Sequence, residues 1–168
     1  MSSRIKIKLK ESCPSSSWID RFRRCCNDSY FAQNWFWSNF DWGQQSLWIG
    51  KFSKTHNLPR DNTQTLDLIK KIIEDIDKYP EIKSSMFIKF YYSKNTRTQE
   101  PEINYLVICD QPTLPTVFKL TFAYLLFETY QLTQKILDMD PDFKKMVNHY
   151  LCWNNFYAYY ELMNEVNC

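Results

Sequence analysis

Cys109 is the residue whose sequence context comes nearest to that of a catalytic group. It ends the apolar run Ile103–Cys109, and Asp110 follows it directly. Catalytic groups often lie where a strand ends and its loop begins. A thiol nucleophile needs a lowered pKa, supplied by a histidine, a cationic group or a helix N-terminus. Asp110 would oppose that effect, and His56 and His149 can approach Cys109 only through the fold. The sequence favours a buried structural cysteine, and a thiol enzyme with Cys109 as nucleophile is the second alternative function.

Metal and nucleotide chemistry have little support in the sequence. Cys25 and Cys26 are adjacent, which is poor geometry for two ligands of one tetrahedral zinc ion, and His149 with Cys152 would supply half a site. The chain has only 2 glycines, whereas phosphate-binding loops need several at fixed spacing. We therefore predict no metal site, no cofactor, and neither a Rossmann nor a P-loop nucleotide site.

Basic residues are concentrated near the N-terminus, where they could contact phosphates. Tryptophans further along the chain could stack on bases. These two features make a nucleic-acid-binding protein the first alternative function. Lys6, Lys8 and Lys10 belong to a predicted strand, Arg4–Lys10. Lysines on one face of an edge strand also prevent aggregation, so these three lysines have a structural explanation as well. The candidate phosphate-binding residues are Lys6, Lys8, Lys10, Arg21, Arg23 and Arg24.

Aromatic residues make up 17% of the chain, more than a small core usually holds. They are densest in Tyr30–Trp48 and Tyr150–Tyr160. Because aromatic anchors dominate the energies of protein interfaces, we predict a non-enzymatic protein-interaction module, an adaptor or assembly subunit that binds another protein or itself. The alternative is that these side chains form the core. The candidate partner-binding residues are Trp35, Trp37, Trp42, Trp153, Phe156, Tyr157 and Tyr160.

The expected compartment is intracellular, either cytoplasmic or nuclear. The N-terminal residues have no apolar signal region, so the 6 cysteines are expected to be reduced. The most apolar segment, between Lys119 and Glu128, is much shorter than the roughly 18 to 20 residues that a membrane span requires. No membrane association is expected.

The elements that must position these residues include one long apolar helix. Thr116–Leu137 places apolar side chains on almost every side of a helix, which is typical of a helix buried on several faces. We therefore predict that it is the central core helix of a single domain formed by residues 1–168.

The remaining elements follow from hydrophobic periodicity and from turn signals. A strand is predicted at Arg4–Lys10 and a helix at Trp18–Phe40, broken near residues 27–29. Ser46–Phe52 is predicted to be a strand, Thr63–Lys78 a helix, and Met86–Tyr92 with Ile103–Cys109 a hairpin. The last helix is predicted to begin at Asp140-Pro141 and to reach about Val166. The order β-α-β-α-β-β-α-α predicts an α+β fold: a small, mostly antiparallel sheet of about four strands, four helices on one side of it, and a helical C-terminal half.

Overall fold

A four-stranded antiparallel sheet organises the structure, a computed structural model that describes residues 17–25, 29–53, 62–94 and 101–152. The order across the sheet is β2-β3-β1-β4, so the first described strand lies in the interior and β4 lies at an edge. The predicted strand Arg4–Lys10 lies outside the described residues. The strand bounds are Ser46–Phe52 (β1), Met86–Lys94 (β2), Pro101–Cys109 (β3) and Phe127–Leu132 (β4).

Seven α-helices and one 3₁₀ helix accompany the sheet in the described part of the chain. The helices before the β2–β3 hairpin are α1 (Trp18–Cys25), α2 (Ser29–Asn39), α3 (Asn62–Ile76) and α4 (Pro80–Ser85). Those after it are the 3₁₀ helix (Thr116–Leu120), α5 (Phe122–Leu125), α6 (Gln134–Met139) and α7 (Pro141–Cys152).

Helices cover both faces of the sheet, and the prediction of helices on one side is wrong. One face of the sheet, which we call the α3 face, packs against α3, α4, the 3₁₀ helix and α5. The other, which we call the α1 face, packs against α1, α2, α6 and α7. The sequence of β3 explains why both faces of the sheet are covered. Every residue from Tyr105 to Cys109 in β3 is buried. A strand that is covered on both faces has a continuous apolar run in place of polar and apolar alternation.

The predicted long helix over Thr116–Leu137 is also wrong, because the segment contains the 3₁₀ helix, α5, β4 and the beginning of α6. From Phe127 onward the residues FETYQL alternate between faces, and they pair antiparallel with β1 from Phe52 to Leu47. Aromatic and β-branched residues favour such an edge strand. A short apolar run fits a buried helix and a strand equally well, and pairing with β1 decides the outcome.

Gly50 allows a side chain to cross β1. Gly50 lies opposite Tyr105 of β3 and Thr129 of β4. The buried Tyr105 ring passes over Gly50, and its hydroxyl forms a hydrogen bond with the Thr129 hydroxyl. Phe90 and Phe127 pack against the same ring, with centroids 5.6 and 4.7 Å away. A glycine inside a strand often marks a bulge or a close approach of another group, and the close approach is what the structure contains.

Apart from the short helix α4, which was not predicted, the other described elements agree with the sequence. The α+β class and the four-stranded antiparallel sheet are confirmed, and the predicted order is approximately matched. β1 has the predicted bounds, and the hairpin strands β2 and β3 each extend slightly beyond theirs. The predicted helix over Trp18–Phe40 is present as α1 and α2. Pro141 begins α7, and Asp140 Oδ1 accepts the backbone N–H of Asp142 at 3.0 Å.

Candidate protein-interaction surface

Three large apolar side chains are exposed within six consecutive residues of the segment before β4. The exposed fractions are 63% for Leu120, 49% for Phe122 and 57% for Leu125. Phe122 and Leu125 lie three residues apart on the single turn of α5, so they share one side of it. We call these three residues the 120–125 patch. Single exposed apolar residues are common on protein surfaces, but groups of them typically mark binding sites.

The backbone that carries the 120–125 patch is fixed on both sides of Thr121. Phe118 and Ala123 are fully buried in the core of the α3 face. The Thr121 hydroxyl donates to the Phe118 carbonyl at 2.7 Å, and the Thr121 carbonyl accepts from Tyr124 and Leu125 at 3.1 and 2.9 Å. These contacts hold the segment against the core while its apolar side chains face outward.

Asp75, near the end of α3, forms a hydrogen bond with the segment that carries the 120–125 patch. Its Oδ2 atom accepts the backbone N–H of Phe122 at 2.8 Å, which satisfies one of the free amides at the beginning of α5. Its Oδ1 atom lies 3.6 Å from the Lys78 ammonium group. Because the patch is held before any partner arrives, a partner would bind without the entropic cost of ordering it.

The tryptophans that the sequence singled out lie against the α1 face and are half-buried. The Trp35 ring lies 5.3 Å from that of Trp18, and the Trp42 ring lies 4.6 Å from that of Phe40. Part of each ring is therefore buried against other residues of the same molecule. Partner binding by Trp35, Trp37 and Trp42 stays a prediction. The other four candidates, Trp153, Phe156, Tyr157 and Tyr160, lie outside the described residues.

Trp37 links α2 to α7. Its indole N–H donates to the Asn148 side-chain oxygen, and the Lys144 ammonium group lies 4.9 Å from the centroid of its ring. Such a cation–π contact stabilises the protein by about 0.5–1 kcal/mol at an exposed site. These contacts give Trp37 a structural role that its position in the sequence did not reveal.

The three candidate arginines of α1 differ in their surroundings. Arg23 is half-buried: its guanidinium donates to the Met86 carbonyl at the beginning of β2 and lies 3.7 Å from Asp20 Oδ1. Arg21 and Arg24 are exposed. Arg23 therefore helps to dock α1 on the sheet, and only the other two have the exposure that phosphate binding requires. Lys6, Lys8 and Lys10 lie outside the described residues.

Cys109 is fully buried in the core of the α3 face. Burial raises the pKa of its thiol to about 12, against a smaller lowering by the Ser46 side chain. His149 belongs to α7, which packs against the opposite face of the sheet. A catalytic thiol needs access and a lowered pKa, so these surroundings give the thiol-enzyme alternative no support.

We expect Cys109 in the folded protein to react with iodoacetamide at pH 8 at least about 100-fold more slowly than in the unfolded chain, because its raised pKa keeps it protonated and its burial blocks the reagent. Peptide mass spectrometry of timed samples measures the rate, with a sample in urea as the control. A rate in the folded protein close to that in urea would show that the thiol is accessible. By linkage, the buried thiol also makes folding less favourable above its ordinary pKa, since the unfolded chain releases the proton first.

Two further absences hold for the described ranges alone. Residues 17–25, 29–53, 62–94 and 101–152 contain no group of three or more His, Cys, Asp or Glu side chains placed to hold a metal ion. Within the same ranges, no helix has the length and apolar character needed to cross a membrane.

Comparisons with known proteins supply no family for this chain. Its sequence matches no protein-family model and no curated protein. The functional inference therefore depends on the surface itself.

The sequence interpretation missed the 120–125 patch because it placed Leu120, Phe122 and Leu125 in a buried helix. One signal could have revealed the error. The run from Phe127 to Leu132 contains Phe, Thr and Tyr, which favour strands, and a strand there leaves a preceding helix too short to bury apolar side chains all round. Which of those side chains are exposed depends on the tertiary fold.

Proposed function

We propose that the protein is a non-enzymatic protein-interaction module and that the 120–125 patch is its contact surface. The observation that carries the proposal is the exposure of Leu120, Phe122 and Leu125 on a backbone that buried neighbours hold in place. Burying apolar surface contributes roughly 25 cal/mol per Å². A partner that covers these three side chains would gain that free energy from apolar surface that is exposed in the folded domain.

The patch is a better candidate than the tryptophans of the α1 face. Trp35, Trp37 and Trp42 already pack against neighbouring aromatic rings. Anchors of protein interfaces typically lie in fully desolvated positions once the complex has formed, so side chains that are free to be covered contribute most. The 120–125 patch has such side chains.

A co-purification from cells tests the proposal. Leu120→Asp and Leu125→Asp should each weaken retention of the partner at least about tenfold, because a charge replaces an apolar contact. Phe31→Asp is the matched control, since Phe31 is 53% exposed on α2, away from the patch. All samples are run with and without nuclease.

Two results would contradict the proposal. One is a partner that Phe31→Asp releases while both patch variants retain it. The other is bound material absorbing at 260 nm that nuclease removes and that depends on Arg21 and Arg24, which would favour the nucleic-acid alternative.

A further inference from the structure

The outer edge of β4 has unsatisfied backbone groups at alternate residues. The Ser53 N–H donates to the Leu126 carbonyl, so position 126 bonds toward β1. Because antiparallel bonding alternates along a strand, the register of β1 and β4 makes the even-numbered residues of β4 bond toward β1 as well. The backbone N–H and C=O groups of Phe127, Thr129 and Gln131 therefore point away from the sheet, and no described residue pairs with them.

This edge lacks the features that usually protect an edge strand. Proline, lysine, a bulge or a covering segment normally prevents another strand from pairing there. β4 contains no proline and no lysine, and its one charged residue is Glu128. Its pairing with β1 runs from Phe127 to Leu132 without a bulge. The outer edge of β4 is therefore suited to pairing with a further strand.

The spacing of the outward groups specifies an extended chain as the ligand. Successive outward-pointing residues are two positions apart, which corresponds to roughly 6.8 Å along a strand. An extended backbone repeats its donors and acceptors at the same interval, whereas a helix uses its backbone groups internally. When a peptide adds to a sheet edge, main-chain hydrogen bonds supply affinity and alternate side chains supply specificity.

We propose that the β4 edge binds an extended segment of the partner protein as a further strand, and that this segment has apolar residues at alternate positions. The inference rests on the proposed function and states how its partner binds. Phe127 is buried in the core of the α3 face, so the side chains of Thr129 and Gln131 lie on that face as well. The 120–125 patch precedes the Phe127 end of β4 and belongs to the same face. Apolar residues that the added strand places on this face would therefore lie toward the patch.

A second copy of the chain fits this edge less well than a segment of another protein. Its β4 would place the polar residues Thr129 and Gln131 on the α3 face, and its Phe127 is already buried in its own core. In an antiparallel pair the beginning of one strand lies beside the end of the other, so the two patches would lie at opposite ends. The exposed apolar side chains would then stay uncovered by the added strand.

Hydrogen bonding by alternate amides distinguishes strand addition from other binding modes, and peptides test it directly. Short random peptides displayed on phage are selected on the full chain, and fluorescence anisotropy measures the dissociation constant of the tightest one. N-methylation of single peptide residues should raise that constant at least about tenfold at every second position. Methylation at the positions between should change it less than about threefold, because those amides point away from β4.

Gln131→Pro tests the same pairing from the side of the domain. Proline removes the outward N–H and places its ring at the edge, while the bonds to β1 remain. We expect the dissociation constant of the peptide to rise at least about tenfold, whereas Gln131→Ala, which keeps the N–H, should leave it within about threefold. Thermal unfolding checks that both variants fold. If Gln131→Pro does not fold, the N-methylated peptides with the wild-type chain decide the question.

An alternating pattern together with the loss caused by Gln131→Pro supports the proposal. It is overturned if no peptide binds below about 100 μM, if N-methylation shows no alternation, or if Gln131→Pro binds like Gln131→Ala. A peptide that Leu125→Asp releases and Gln131→Pro retains would overturn the pairing and leave the proposed function intact. Binding that depends on Gln131→Pro but not on Leu125→Asp would keep the pairing and reject the role of the patch, and with it the proposed function.

Sedimentation equilibrium without peptide tests the remaining occupant of the edge. We expect the wild type to be monomeric at about 100 μM. A wild-type dimer that Gln131→Pro dissociates would show that a second copy occupies the edge, which overturns the assignment of this edge to another protein.

Discussion

Replacing Gly50 with alanine is expected to lower the free energy of unfolding by about 3 kcal/mol. An ideal Cβ atom at position 50 would lie 2.1 Å from Cε1 and 2.2 Å from Cζ of Tyr105. Heavy atoms without a bond between them do not approach so closely, so the ring would have to move. The Tyr105 ring is fully buried, and Phe90 and Phe127 pack against it. Its hydroxyl forms a hydrogen bond with the Thr129 hydroxyl. Movement would therefore disturb β3, β1 and β4 together.

Urea denaturation measures the change, and Gly43→Ala is the control. A Cβ atom at position 43 would meet only Asp41 Oδ1, at 3.3 Å, on an exposed turn. That variant should lose less than about 0.5 kcal/mol. Gly50→Ala combined with Tyr105→Leu should cost less than the sum of the two single changes, because the smaller side chain makes room. Equal losses for Gly50→Ala and Gly43→Ala would show that Tyr105 does not occupy the space above Gly50.

Phe118→Ala should lower the free energy of unfolding by about 3–5 kcal/mol, whereas Leu120→Ala should change it by less than about 0.5 kcal/mol. The residues are two positions apart in the 3₁₀ helix. Phe118 is fully buried and packs against Tyr105 with centroids 6.4 Å apart, while Leu120 is mostly exposed. Removing the Phe118 side chain would leave a cavity in the core, and removing that of Leu120 would leave none.

The pair also distinguishes the two interpretations of this segment. Urea denaturation gives both free energies, and co-purification of the same two variants gives their binding. A helix buried on several faces would make the two losses of stability similar. The structure instead predicts that Leu120→Ala keeps its stability and weakens partner binding, since only its exposed side chain is removed. Similar losses of stability in the two variants would contradict the exposure of Leu120.

The sequence predicts those elements whose periodicity is supported by local signals. β1, the β2–β3 hairpin and α3 have clear periods, and Pro80 and Pro141 mark helix boundaries in the sequence. Thr116–Leu137 has no proline or glycine within it, so nothing local separates its strand from its helices. Its strand forms because β1 offers an edge, and such tertiary pairing overrides local preference.

The candidate site was less predictable than the fold, because exposure is a property of the assembled structure. The sequence correctly favoured a buried Cys109, since that residue continues the apolar run of β3. Arg23 is adjacent to Arg24 in an apparently uniform basic group, yet its guanidinium reaches the Met86 carbonyl far along the chain. The exposure of the 120–125 patch likewise depends on which neighbours are anchored beneath it.

The strand order has a consequence for synthesis on the ribosome. β1 is made before the other three strands but lies between β3 and β4 in the finished sheet, and Leu47 pairs with Leu132. At roughly 5–20 residues per second, β1 waits on the order of ten seconds for its neighbours to be synthesised. Throughout that time its apolar side chains are available to chaperones and to other nascent chains. The β2–β3 hairpin can close locally, and β1 can join the sheet only after β3 or β4 has been made.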